Sequence, residues 1–263
     1  VMQDRPPEPV FLFRRLLTTN KDIHAIIVKL KDVPGALMQV LNVLQKYQIN
    51  ILGVTAFSFM KQDGYGNAFI VTDCSNSHKK IKDVVEEISK QPLVINSIKL
   101  ERPVPVLVID TYHYPIMISG ELKGYIFTQP LIERIMQGGA ETFGIDAMQS
   151  FLWYIGKAVG KDMAKTWLNY GLKKEEVPIG ILWTGQSLGQ WKGSLNQDLT
   201  SGKVEIIFHD NFECSNKKGL KQKSSFVRGV WEAIYEVILE RKVTFEEVSC
   251  IALGDEQCVF RNF

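Results

Sequence analysis

Glu247, Cys250 and Cys258 stand at E-x2-C-x7-C spacing, with Gly254-Asp255 between the two cysteines. Two thiolates and a carboxylate together offset the charge of a zinc ion, and zinc takes donors of both kinds. A turn at Gly254-Asp255 brings Cys250 and Cys258 close enough to share a metal. The set lacks a fourth donor, which water or Cys214 would supply, Cys214 only if its loop folds back. Glu247 and Cys250 also fall on opposite faces of a regular strand, so joint ligation demands a turn or a bulge. The expectation is therefore a reduced, metal-free cysteine pair packed as small apolar groups. Zinc held by Glu247, Cys250, Cys258 and Cys214 is the alternative.

A second place for chemistry is Asp32-Val33-Pro34-Gly35-Ala36-Leu37. Asp32 is suited to cap a helix, Pro34 presets its first turn, and Gly35 lets backbone approach a ligand. Unpaired N–H groups at such a helix start can meet a carboxylate. Trp183, Phe226, Trp231 and Phe245 are the expected lining of an apolar pocket for a flat ligand, though aromatic residues at such spacings also serve as plain core. His24, His78, His113 and His209 form no metal or triad pattern, and Lys217, Lys218, Lys221 and Lys223 read as a solvated loop. No nucleophile, acid–base pair or phosphate loop emerges, so the expectation is not an enzyme.

The elements that must position these residues follow from periodicity. Ile23–Leu30 is an apolar, β-branched run. Leu37, Val40, Leu41 and Leu44 recur at helical spacing, as do Ile81, Val84, Val85 and Ile88. Runs at 51–60 and 67–74 flank a hairpin signal at Asp63-Gly64, and Val94–Leu100 closes the series. Strand, helix, strand, strand, helix, strand is the ferredoxin-like βαββαβ order, expected over residues 21–103. Residues 1–20, with Pro6, Pro7, Pro9 and then Val10-Phe11-Leu12-Phe13, read as an arm, and Pro103 and Pro105 mark a linker. Residues 106–263 then read as an α+β domain, with helices segregated from an antiparallel sheet. Its expected strands include 106–110, 116–118, 125–127, 179–183, 189–195 and 204–209. Its expected helices start at Pro130 and span 146–170 and 225–240, before a closing hairpin at 248–253 and 257–260.

Two resemblances add to this reading. Asp32-Val33-Pro34-Gly35-Ala36-Leu37 followed by Ile49-Asn50-Ile51 resembles the ACT domain, over about eighty residues. That resemblance implies side-by-side dimers and an amino acid or related effector near Asp32, Val33, Gly35, Ala36 and Asn50. Ser224-Ser225-Phe226-Val227-Arg228-Gly229, its helix and E-V-S-C-I-A-L-G-D-E-Q-C-V-F resemble the vinyl-4-reductase-type (4VR) domain over residues 106–263. That resemblance implies an enclosed apolar pocket, a dimer and a zinc site whose third cysteine is replaced here by Ser224. A neutral hydroxyl is a poor zinc ligand, which is why the metal-free pair is preferred.

A chain of 263 residues is long enough for two cores, and at 23% charged and 45% hydrophobic it reads as an ordinary globular protein. A net charge of +2 supplies no drive toward nucleic acid or membrane, and no apolar run reaches the roughly 20 residues of a membrane span. Four unevenly spaced cysteines make no disulfide framework, so the expected setting is cytoplasmic. The resulting expectation is a homodimeric sensor of a small molecule, acting by population shift through a partner. An enzyme or carrier acting on a tetrapyrrole or aromatic compound, and a dimeric scaffold, are the alternatives.

Overall fold

A computed structural model describes residues 14–57, 64–118, 122–215 and 223–262. Residues 1–13 of the expected arm, Asp63 of the hairpin, and Lys217, Lys218 and Lys221 lie outside the described residues. The chain divides into two compact units, Val1–Tyr125 and Ile126–Phe263.

The first unit is built on a four-stranded antiparallel sheet. Its strands are β2 (Ile23–Lys31), β3 (Asn50–Phe57), β4 (Tyr65–Asp73) and β5 (Val94–Leu100), in the order β3-β4-β2-β5. Helices α1 (Ala36–Lys46) and α2 (Ile81–Ser89) cover one face. Ile26, Val28 and Leu30 of β2 point there, onto Val40, Leu44, Val84 and Ile88. Ile23, Ala25 and Ile27 point to the other face, where Phe69, Val71 and Val108 bury them. A central strand buried on both sides must be apolar throughout, which explains the run read in the sequence. This is the expected βαββαβ fold.

Val108 belongs to β6 (Leu107–Ile109), which pairs with β1 (Arg15–Leu17). The sequence set a linker at 101–105, and the compact units meet at Tyr125 and Ile126. The β1–β6 ribbon accounts for the difference, because Val108 packs on the first unit's sheet. Asp110 ties this ribbon down. Its carboxylate pairs with Arg14 at 3.2 Å and with His113 Nδ1 at 3.0 Å, and it accepts the amides of Tyr112 and His113. A short hairpin follows, β7 (Ile116–Ile118) with β8 (Leu122–Gly124), so the pairing strand lies just before the expected 125–127.

The second unit is α+β, as expected. Its antiparallel sheet runs β11-β12-β10-β9, with β9 at Trp191–Asp198, β10 at Lys203–Asn211, β11 at Phe245–Ser249 and β12 at Cys258–Asn262. The helices are α3 (Gln129–Phe143), α4 (Ile145–Asn169), α5 (Glu176–Ser187) and α6 (Ser225–Leu239). Helix α6 is the core element, burying Val227, Trp231, Ile234, Tyr235 and Ile238. Helices α4 and α6 meet backbone to backbone. A Cβ at Gly160 would lie 2.1 Å from the Val230 carbonyl oxygen, and one at Gly229 would lie 2.3 Å from that of Trp153.

One element reverses the expectation. Residues 179–183 were read as a strand but lie inside α5. A short apolar run fits either structure, and here Val177, Ile181 and Gly185 are buried at intervals of four, a helical period. Among the described residues no helix is long and apolar enough to cross a membrane.

Candidate functional site

The turn after β10 folds back, with the amides of Cys214 and Ser215 donating to the Asn211 carbonyl at 2.8 and 2.9 Å. This places Cys214 beside the closing hairpin. One ligand atom each from Cys214, Glu247, Cys250 and Cys258 lie within 4.8 Å of one another, and all four residues are buried. The bulge demanded by the E-x2-C spacing is present, since the β11–β12 register shifts between Glu247 and Ser249. Ile251–Leu253 then forms a single 3-10 turn, and Gly254 takes a φ of 109° that a side chain would resist. Asp255 closes the turn by accepting the Cys250 amide at 2.7 Å.

Ser224 sits among these donors rather than apart from them. Its hydroxyl donates to Glu247 Oε1 at 2.6 Å and lies 2.9 Å from Cys214 Sγ. Its amide donates to Glu247 Oε2 at 2.8 Å, and Asn211 Nδ2 donates to its oxygen at 3.1 Å. Glu213, also buried, accepts the amides of Phe226 and Val227 at 3.0 and 2.9 Å and so holds the start of α6 in place. Sequence reasoning missed the parts played by Asn211, Glu213 and Asp255. Only Asp255, in a Gly-Asp turn, carried a local signal.

The electrostatics divide the charge unevenly. Burial pushes the Glu247 carboxyl up to about 7, against the pull of the Ser224 hydroxyl. Hydrogen bonding to Cys250 and Cys258, with burial, drives the Cys214 thiol far upward. Bonds from Cys214 and Cys250, with the Ile251 amide at 3.4 Å, pull Cys258 down. Tetrahedral zinc with Zn–S near 2.3 Å sets its donors about 3.8 Å apart. The Cys214–Cys250 separation of 3.6 Å lies near that value, and three thiols with a carboxylate are a zinc donor set.

The expected effector turn forms a groove of about 510 Å³ lined by residues from Leu30 to Leu41. Gly35, at φ 85°, precedes α1, and a Cβ there would meet nothing within 4 Å. Asp32 differs from its expected capping role, since no side chain caps α1. The first-turn amides of Leu37 and Met38 lie where a helix leaves N–H groups without intrahelical partners. Asp32, Val33, Gly35 and Ala36 all line the groove, but Asn50 does not. Asn50 is level with Asp73 and Ile23, eight residues along β2 from Lys31 and so roughly 26 Å away. The resemblance had grouped it with the turn.

The four aromatic residues expected around one pocket part company. Trp231 and Phe245 are wholly within the core, and Phe226 packs edge-on to Phe212. Trp183 lies on α5 and is 53% exposed.

No protein-family model matches this chain, and no curated protein matches it. Among solved structures it is similar to the phenol-responsive sensory domain of the transcription activator PoxR. That match has 12% identity and TM-score 0.46, over 54% of this chain and 77% of that one. It is also similar to the ACT domain from GTP pyrophosphokinase of Chlorobium tepidum, at 18% identity and TM-score 0.25, over 30% of this chain and 96% of that one. A third similarity is to the quorum quenching acylase GqqA, at 14% identity and TM-score 0.23, over 35% of this chain and 31% of that one. None of these likenesses is strong enough to carry a function across.

Proposed function

We propose that this chain is a small-molecule-responsive regulatory protein whose first unit binds an amino acid in the groove at Asp32–Leu37. The observation that carries the reading is the uncapped start of α1 opening into that groove. An α-carboxylate is stabilised by the first-turn amides and the positive end of the helix. The α-ammonium pairs with Asp32, which lies just outside the helix. Both charges of a zwitterion are thus answered by residues within a few positions of each other. The output passes through a partner, by a shift between two arrangements of the protein.

In the second unit, Cys214, Glu247, Cys250 and Cys258 are proposed to hold one structural zinc ion. Cys214 answers the objection raised by Ser224, because it supplies the missing thiolate from the preceding turn. Zinc bound there would cross-link the β10–α6 turn to the closing hairpin, and Ser224 would orient Glu247 from outside the donor set.

A thermal-shift screen of the common amino acids against the whole chain tests the effector reading. The expected result is a dose-dependent rise in Tm for one or a few of them, lost in Gly35→Val while the circular dichroism spectrum is kept. No response to any amino acid would remove the reading.

A further inference from the structure

Helices α4 and α6 border a groove of about 450 Å³ lined by Asp146, Gln149, Ser150, Trp153, Tyr154, Ser225 and Arg228. Arg228 lines it, and its Nε is buried without a hydrogen-bond partner among the described residues. A covered guanidinium N–H left unpaired carries a desolvation penalty, which an acceptor reaching it from the groove would remove. Among the described residues Asp146 is the one acid lining the groove, and no ion pair joins it to Arg228. The start of α6 is not the binding element, because Glu213 already takes the amides of Phe226 and Val227.

The walls are fixed. Trp153 Nε1 donates to the buried Glu232 at 2.7 Å, and the Trp153 carbonyl lies against Gly229 where the two helices touch. The Tyr154 ring meets that of Trp153 edge-on at 4.8 Å. Ser225, also buried, lines the same groove as Arg228.

We propose that this groove binds a carboxylate carried on a flat apolar body, with Arg228 pairing the carboxylate, Ser225 bonding it, and Trp153 and Tyr154 flanking the body. The arginine fork matches two carboxylate oxygens, and an aromatic ring on the ligand finds apolar ring surface on one side. The site lies in the second unit and uses none of the residues of the amino-acid groove or the cysteine cluster.

Calorimetric titration of the whole chain tests the proposal, with sodium benzoate, benzamide and inorganic phosphate as probes. Benzoate is expected to bind saturably and to quench tryptophan fluorescence, while the neutral benzamide and the bodiless phosphate bind at least tenfold more weakly. Arg228→Lys keeps the charge but loses Nε and the fork, and is expected to weaken benzoate at least tenfold. Arg228→Gln is expected to abolish binding. Should Arg228→Gln fail to fold, the benzoate-to-benzamide ratio in the unaltered chain and Arg228→Lys decide. Absence of saturable benzoate binding, equal binding of benzamide or phosphate, or undiminished affinity in Arg228→Lys would each overturn it.

Discussion

Ser224 and Glu247 are joined twice, the Ser224 hydroxyl donating to one carboxylate oxygen at 2.6 Å and its amide to the other at 2.8 Å. On the proposed zinc reading, the hydroxyl would stand behind a metal-ligating carboxylate rather than in place of a thiolate. Ser224→Ala removes one of the two bonds and leaves the donor atoms intact. Zinc is expected to bind with unchanged stoichiometry but about 10–100-fold lower affinity, the usual cost of losing such a supporting partner. Competition with a chromophoric chelator measures it.

Zinc itself is expected at one equivalent per chain in protein purified without chelator, as read by elemental analysis. Cys258→Ser and Cys214→Ser should each lose most of it. Uptake should release protons and weaken on acidification, because the thiols and Glu247 must ionise to bind. Zinc retained in both variants would contradict the assignment.

Gly160→Ala should be among the most damaging single changes in the second unit. The added methyl would meet the Val230 carbonyl oxygen at 2.1 Å, so the α4–α6 contact must part along its length. A loss of roughly 3 kcal/mol is expected, at the upper end of overpacking costs. Urea unfolding of the variant measures it, and a Tm equal to the original would show that the helices shift freely.

Asp110 is expected to govern an acid limb of stability in the first unit. Burial alone would raise its carboxyl, but hydrogen bonds from the His113 ring and from the His113 and Tyr112 amides outweigh it and hold it below its ordinary 3.8. A depressed folded value means stabilisation that is fully present above about pH 4 and is lost as pH falls through the folded value. Asp110→Asn should cost about 2–3 kcal/mol at neutral pH and flatten the decline of Tm below pH 4. An unchanged acid limb would exclude this carboxylate as its source.

Helix α4 turns Gly156 and Gly160 toward α6 and leaves Phe151, Ile155 and Val159 exposed at intervals of four. Such a stripe fits a partner helix, and a homodimer is the expected assembly. Light scattering should give twice the 29.9 kDa chain mass at micromolar concentration. Phe151→Glu should shift the mass toward one chain while leaving the helical content intact.

The elements with a strong local period were legible in the sequence. The βαββαβ order, the amphipathic faces of α1 and α2, the glycine at the head of α1 and the E-x2-C-x7-C hairpin all rest on interactions among neighbouring residues. Helix α5 was misread because the run at 179–183 is too short to reveal its period, and only its burial against α4 and β9 selects helix. The site depended on tertiary structure more heavily still. Cys214 lies 33 residues before Glu247, and nothing local states that the turn after β10 folds back; the Asn211 carbonyl and the packing of α6 decide it. The strand register likewise separates Asn50 from Gly35, a distance that a motif alone cannot show. Local sequence therefore determined the elements and the donor types, while long-range pairing decided which donors meet, because each such contact is set by register and burial rather than by adjacent side chains.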